Sequence, residues 1–251
     1  GNGDFRLDPD SPAIALGFEP IDTRVIGLCE APELRQLADA FVFPEIAPLA
    51  PPPPSPVDED FETLEIGDAA PYAITFGETD RSSIRVTDEM AAGGRKSLKF
   101  TDARNLTKSY WPWLAYKPEV NAGEVRLRFA IRLESGAQVQ HEWRNNATPY
   151  AVGPSLLFAD GAIRAGDRTL AQIPEETWIR IEIRCPLGTG ATGTHSLRID
   201  VPGADTVQVS DLPCRAGTDF CSLNWLGFIG VADADAAFYL DDLHLSHIDG
   251  D

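Results

Sequence analysis

From residue 58 onward apolar and polar residues alternate with a period of two, in short runs. The stretch Glu124 to Leu133 is the clearest case. Val125, Leu127, Phe129, Ile131 and Leu133 fall on one face of a strand, and Arg126, Arg128 and Arg132 fall on the other. Trp178 to Cys185 repeats the pattern, with Ile179, Ile181 and Ile183 opposite Arg180, Glu182 and Arg184. Ile84 with Val86, Leu98 with Phe100, Leu197 to Val201, Val207 with Val209, Leu223 to Val231 and Phe238 to Leu245 add further strands between Gly, Pro and Asp turns. Such strands predict an all-β fold, an antiparallel β-sandwich. With about 190 residues and long connections, a jelly roll suits better than a minimal immunoglobulin fold. One strand breaks its own rhythm. Phe238 and Leu240 are even-numbered apolar positions, whereas Leu243 and Leu245 are odd, so parity flips at Asp241-Asp242, which predicts a β-bulge.

The first part of the chain reads differently. Residues 1–43 begin with short apolar pairs among turn residues and no helical period. One short helix follows over Glu33 to Val42: Pro32 fits its first position, and Leu34, Leu37, Ala38 and Phe41 fall at i, i+3, i+4 and i+7. Residues 44–57 hold seven of the twenty prolines and predict an extended, semi-rigid linker. The expected organisation is therefore 1–43, a proline-rich linker over 44–57, and a sandwich over 58–251.

Composition narrows the partners. The charge balance of 21 − 39 = −18 repels phosphate backbones and anionic lipid, so neither nucleic acid nor membrane is expected as a partner. No apolar run is long enough to span a bilayer. No basic-then-apolar leader is present, so any secretion signal is expected outside these residues. The cysteines are Cys29, Cys185, Cys214 and Cys221. None is in a CxxC pair, and the four histidines are scattered, which argues against zinc. Cys185 ends one strand and Cys214 follows another, so they are either bridged or buried thiols. No serine elbow, P-loop or dinucleotide fingerprint occurs.

Two stretches carry candidate binding chemistry. Tyr110, Trp111, Trp113 and Tyr116 place four aromatics around Pro112, suited to stacking on the apolar faces of sugar rings. Trp111 and Trp113 share a strand parity, so plugging the core is the alternative. In the second stretch His141 and Trp143 share one face and Gln140, Glu142 and Arg144 the other, with Tyr150 beyond. Hydrogen-bonding groups beside aromatics are what sugar hydroxyls require; the alternative is a solvated strand edge with His141 half-buried. A third cluster is acidic. Asp58, Glu59, Asp60 and Glu62 open the sandwich and Asp241 and Asp242 close it. Adjacent first and last strands would bring together carboxylate oxygens of the kind Ca²⁺ takes.

Residues 2–22, with the string Gly3-Asp4-Phe5-Arg6-Leu7-Asp8-Pro9-Asp10-Ser11-Pro12-Ala13-Ile14-Ala15-Leu16-Gly17 at their centre, resemble the closing turn of secreted right-handed parallel β-helix proteins. These are typically bacterial polysaccharide lyases, glycoside hydrolases or surface proteins. The remainder resembles the concanavalin-like or carbohydrate-binding jelly rolls fused behind such helices. Asp60-Phe61-Glu62, Gly94-Arg95-Lys96-Ser97-Leu98-Lys99-Phe100 and Phe238-Tyr239-Leu240-Asp241-Asp242-Leu243 carry that likeness. It implies a structural Ca²⁺ held by Asp60, Glu62, Asp241 and Asp242 with the Lys96 carbonyl. A lone terminal coil cannot bury its own faces, so the resemblance also implies a larger secreted, cell-surface or periplasmic protein, with a preceding β-helix domain as partner.

The function expected is non-catalytic binding of a polysaccharide through Tyr110, Trp111, Trp113, Tyr116, Gln140, His141, Glu142, Trp143, Arg144 and Tyr150. Two alternatives stand beside it. One is a jelly-roll polysaccharide lyase on a uronate, using Gln140, His141, Arg144 and Tyr150. Adjacent Gln140 and His141 point to opposite faces of a regular strand, which weighs against it. The other is a structural domain that caps the β-helix or dimerises.

Overall fold

The computed structural model describes residues 7, 8, 10–19, 32–40, 42 and 53–248. The chain divides into two compact units, residues 1–51 and 52–251.

In the first unit, Ser11 accepts a hydrogen bond from the Ala13 amide (3.4 Å) and caps a single turn, α1 (Pro12–Ala15), with proline in its first position. The sequence shows no period for this turn, because four residues are too few to display one. The second helix, α2 (Pro32–Ala40), begins at Pro32 as its pattern predicts and places Glu33 in its first turn, where the helix dipole favours an acid. Residues 2–6, 9 and 20–22 of the β-helix-like stretch, Cys29, Phe41 of the expected helix, and residues 44–52 of the linker lie outside the described residues.

The second unit is the expected two-sheet antiparallel sandwich. Its strands begin with β1 (Asp58–Glu59), β2 (Ile74–Phe76), β3 (Ser83–Thr87), β4 (Ser97–Asp102) and β5 (Trp113–Tyr116). They continue with β6 (Gly123–Leu133), β7 (Val139–Arg144), β8 (Val152–Ala159), β9 (Ala162–Ala165) and β10 (Arg168–Gln172). The last five are β11 (Ile179–Leu187), β12 (Thr194–Asp200), β13 (Val207–Pro213), β14 (Trp225–Gly230) and β15 (Ala236–Ile248). Sheet A has the order β13-β12-β11-β6-β15-β4-β3, with β1 also paired to β15; sheet B has the order β10-β9-β8-β7-β14-β5-β2.

The alternation of β6 and β11 is realised in register, Ile181 opposite Phe129 and Ile183 opposite Leu127. Their apolar faces are buried and their arginines lie outside. Phe129 of sheet A meets sheet B at the centre, 5.0 Å from Phe228 in an edge contact and 5.2 Å from the His141 ring. The parity flip in β15 is a register irregularity between Asp241 and His244, with Asp242 at a positive φ of 48°. It turns Leu243 back into the core. The first and last strands are adjacent, Asp58 pairing with His244 and Glu59 with Leu243.

Three strands, β8 to β10, fill residues 152–172 without a clean alternation. Val152 to Ala159 is largely apolar on both parities, so period alone does not mark it as a strand.

Candidate functional site

The outer face of sheet B gathers most of the aromatic candidates. On β5, Leu114 and Tyr116 point into the core, so Trp113 points out. Phe76 pairs with Trp113 across β2 and stacks on it, with centroids 5.6 Å apart and planes 22° apart. Trp111 packs edge-on against Phe76 at 5.6 Å, and Trp225 of β14 lies 6.0 Å from Trp113 on the other side. Glycine builds this floor: a Cβ at Gly227 would collide with the six-membered ring of Trp225, so only glycine lets that indole lie across the strand.

Arg144 completes the row. It sits beside Trp225 in register, and its guanidinium carbon lies 4.1 Å from the Trp225 centroid and 4.7 Å from that of Tyr150. Its Nε and Nη2 both donate to Glu142 Oε2, at 2.9 and 2.7 Å. Arg215 approaches the other Glu142 oxygen at 3.6 Å. Tyr110, Trp113, Arg144, Tyr150, Trp225 and Ile229 line a groove of 470 Å³. A second depression of 340 Å³ lies against Phe76 and Trp111. Gln140, on the same face, donates to Ser155 Oγ at 2.9 Å.

The structure thus brings Tyr110, Trp111, Trp113, Gln140, Glu142, Arg144 and Tyr150 to one face and removes three candidates from it. Tyr116, His141 and Trp143 are wholly buried, each at 0 % exposure. His141 is not a half-buried edge residue. The Trp143 indole N–H donates to His141 Nε2 at 2.9 Å, so Nε2 is unprotonated and Nδ1–H donates to the Gly227 carbonyl, also at 2.9 Å. Burial away from water holds the imidazole pKa down to about 3. A ring whose two nitrogens are both engaged in the core is no base for a surface substrate. The remaining histidines lie elsewhere: His195 in the core, His244 and His247 on β15 of sheet A.

Phe76, Trp225, Ile229 and Arg215 join the site without having been singled out in the sequence. For Trp225 and Ile229 a signal was present. In Trp225-Leu226-Gly227-Phe228-Ile229-Gly230 the bulky residues of one parity alternate with a glycine, a gap into which a large ring can lie.

The acidic cluster does not fit a bound Ca²⁺. Glu62 Oε1 accepts the Arg95 and Lys96 amides at 2.8 and 2.7 Å, and these bonds hold its pKa below the usual range. Lys96 also turns its ammonium to this corner, donating to the Glu62 carbonyl at 3.0 Å and to that of Leu64. Asp241 Oδ2 takes the Ala92 and Gly93 amides at 2.7 and 3.1 Å, and Oδ1 takes that of Asp242 at 2.8 Å; burial raises its pKa nonetheless. Asp242 pairs with Arg180 at 2.7 Å, and Asp60 accepts the Glu62 amide at 3.1 Å. Among the described residues no three acidic, histidine or cysteine side chains converge to hold a metal. The spacing brought these acids together, but amides and cations already occupy them.

No family model matches this chain, and no curated protein matches it. Solved structures do. The endo-β-1,4-glucuronan lyase of the fungus Trichoderma reesei superposes with a TM-score of 0.50 at 12% identity, covering 74% of this chain and 95% of that one. A marine PL-14 alginate lyase from Aplysia kurodai gives 0.51 at 10% identity, over 74% and 99%. The cellulose-induced protein Cip1 gives 0.53 at 16% identity, over 77% and 98%. The likeness is one of fold. The chain carries the jelly-roll sandwich that these structures share, and function rests on the site. Among the described residues no helix is long and apolar enough to cross a membrane.

Proposed function

We propose that the sandwich binds a polysaccharide along the outer face of sheet B and does not cleave it. The row Trp111, Phe76, Trp113, Trp225, Arg144 and Tyr150, which crosses β2, β5, β14 and β7, carries this reading. Four adjacent strands span about 14 Å at the usual strand spacing, a length suited to several sugar rings of an extended chain. Flat aromatic faces offer apolar contact to pyranose C–H faces at little entropic cost. Burial of His141 withholds the histidine that the lyase alternative calls on. Similarity of fold to lyases and to Cip1 supports a carbohydrate ligand.

The stretch from Gly3 to Gly17 supports a parent protein in which a secreted β-helix precedes this domain. The test is affinity electrophoresis of the intact chain in gels containing neutral or uronate glycans, with absorbance monitoring for unsaturated products. Retardation without product is expected, and Trp113→Ala or Trp225→Ala should abolish it while the thermal midpoint stays within a few degrees. Product formation would overturn the non-catalytic reading. Retardation unchanged in both variants would remove the site.

A further inference from the structure

The groove of 470 Å³ is lined by four aromatics, one isoleucine and Arg144. No acidic or amide side chain lines it, in a chain with 39 acidic residues. Neutral sugars present hydroxyls that donate as well as accept, and the side-chain acceptors lining the groove are just the hydroxyls of Tyr110 and Tyr150. Here the one charged lining group is a donor. Glu142 stands behind it, with Oε2 filled by Arg144 and Oε1 facing Arg215. The two arginines and Glu142 leave a local charge of +1 on a protein of net −18.

The orientation of Arg144 adds a second observation. Glu142 takes its side-on edge, Nε with Nη2, and the Tyr150 and Trp225 rings both lie within 5 Å of its central carbon. The end-on edge, Nη1 with the second hydrogen of Nη2, makes no hydrogen bond to a protein group among the described residues. Two parallel N–H groups held rigidly in a plane match the two oxygens of an anionic group.

We propose that the groove selects an anionic saccharide, whose charged group meets the end-on edge of Arg144 while its ring stacks on the neighbouring aromatics. The inference rests on the reading of this face as a polysaccharide site and narrows its ligand to sugars bearing carboxylate or sulfate. Arg215, 69% exposed at its side chain, adds long-range attraction at the same end.

The experiment compares a panel of polyuronates with the same polymers after chemical reduction of each carboxyl to a hydroxymethyl group, and with sulfated neutral glycans. Retardation on at least one polyuronate, weakened about tenfold or more by reduction and by added salt, is expected. Binding to the sulfated polymer as well assigns the edge to anions in general; its absence assigns it to carboxylates. Equal binding to a polyuronate and its reduced form would overturn the selectivity and leave the proposed function standing. Binding to none of the polymers, charged or neutral, would overturn the proposed function itself. Arg144→Gln leaves Glu142 unpaired, so the double variant Arg144→Gln/Glu142→Gln is measured beside it. Both should lose the difference between native and reduced polymer while retaining weak stacking affinity, and a difference preserved in a folded double variant would sink the inference.

Discussion

Sheets A and B share one core but turn opposite surfaces to water. The outer face of sheet A is a lattice of compensated charge: Arg128 and Arg184 both hold Glu182 at 2.7 Å, Arg198 holds Asp200 at 2.8 Å, and Arg180 holds Asp242. A depression of 710 Å³ there is lined largely by these same charged residues and their polar neighbours. On sheet B the one groove-lining arginine, Arg144, is also paired with a carboxylate, Glu142, but lies against the Trp225 and Tyr150 rings as well. Exposed arginine–carboxylate pairs exchange one solvated state for another and are worth little, whereas aromatic surface left facing water retains hydrophobic free energy to release on contact. Residue type alone therefore does not mark a binding face. What an arginine leans on does.

The largest effect expected belongs to neither outer face but to the core between them. In the unfolded chain His141 titrates near 6.5, and in the fold burial holds it to about 3. Its folded pKa is depressed, so as pH falls from about 6.5 toward 3 the unfolded chain takes up a proton that the native state refuses. Stability is lost across that window, by the order of a few kcal/mol. Asp102 and Glu59, raised to about 6 and about 7 mainly by burial, act in the opposite sense, because the fold keeps their protons longer. The comparison is therefore wild type against His141→Gln by denaturant melts from pH 7.5 to 4. The difference in stability between the two should shrink as pH falls; a constant difference would place His141 in contact with water.

The next effect separates the faces. Gly227→Val drives a branched side chain into the position of the Trp225 ring and should displace that indole, reducing glycan retardation by about tenfold or more at modest cost in stability. Unaltered retardation would show that Trp225 is no part of the platform. Smallest of all, Arg198→Ala on sheet A should change stability by less than about 1 kcal/mol and leave retardation untouched. A loss of binding there would mean that the charged lattice is itself a docking surface, and the contrast between the sheets would fail.

Much of this architecture can be read from residue order. The period of two in β6 and β11 sets the inner face of sheet A, and the parity flip at Asp241-Asp242 locates the irregularity in β15. The separation of His141 and Trp143 from Gln140, Glu142 and Arg144 also survives intact. Alternation does not tell which of two mixed faces is interior. Histidine and tryptophan go inside because each satisfies the other, an indole N–H on an imidazole nitrogen, within reach of Phe129 and Phe228. Likewise, spacing gathers Glu62 and Asp241 near one loop but is silent on which donors await them. Backbone amides of residues 92–96 were invisible as competitors for a cation because amides carry no residue code. Residues 152–172 were unreadable for a simpler reason: three short strands without strict alternation leave no period to detect.

The pairing of β1 with the end of β15 bears on how such a domain travels between proteins. Asp58 lies directly across from His244, so the path into the sandwich and the path out of it run side by side at one corner. A fold whose two ends leave together demands a single attachment point from its carrier. It can be spliced into a surface loop as readily as appended to a terminus, because the host need only open a gap about as wide as the spacing between neighbouring strands. The aromatic face travels with it unaltered, since none of the strands that display the aromatic row is the first or the last.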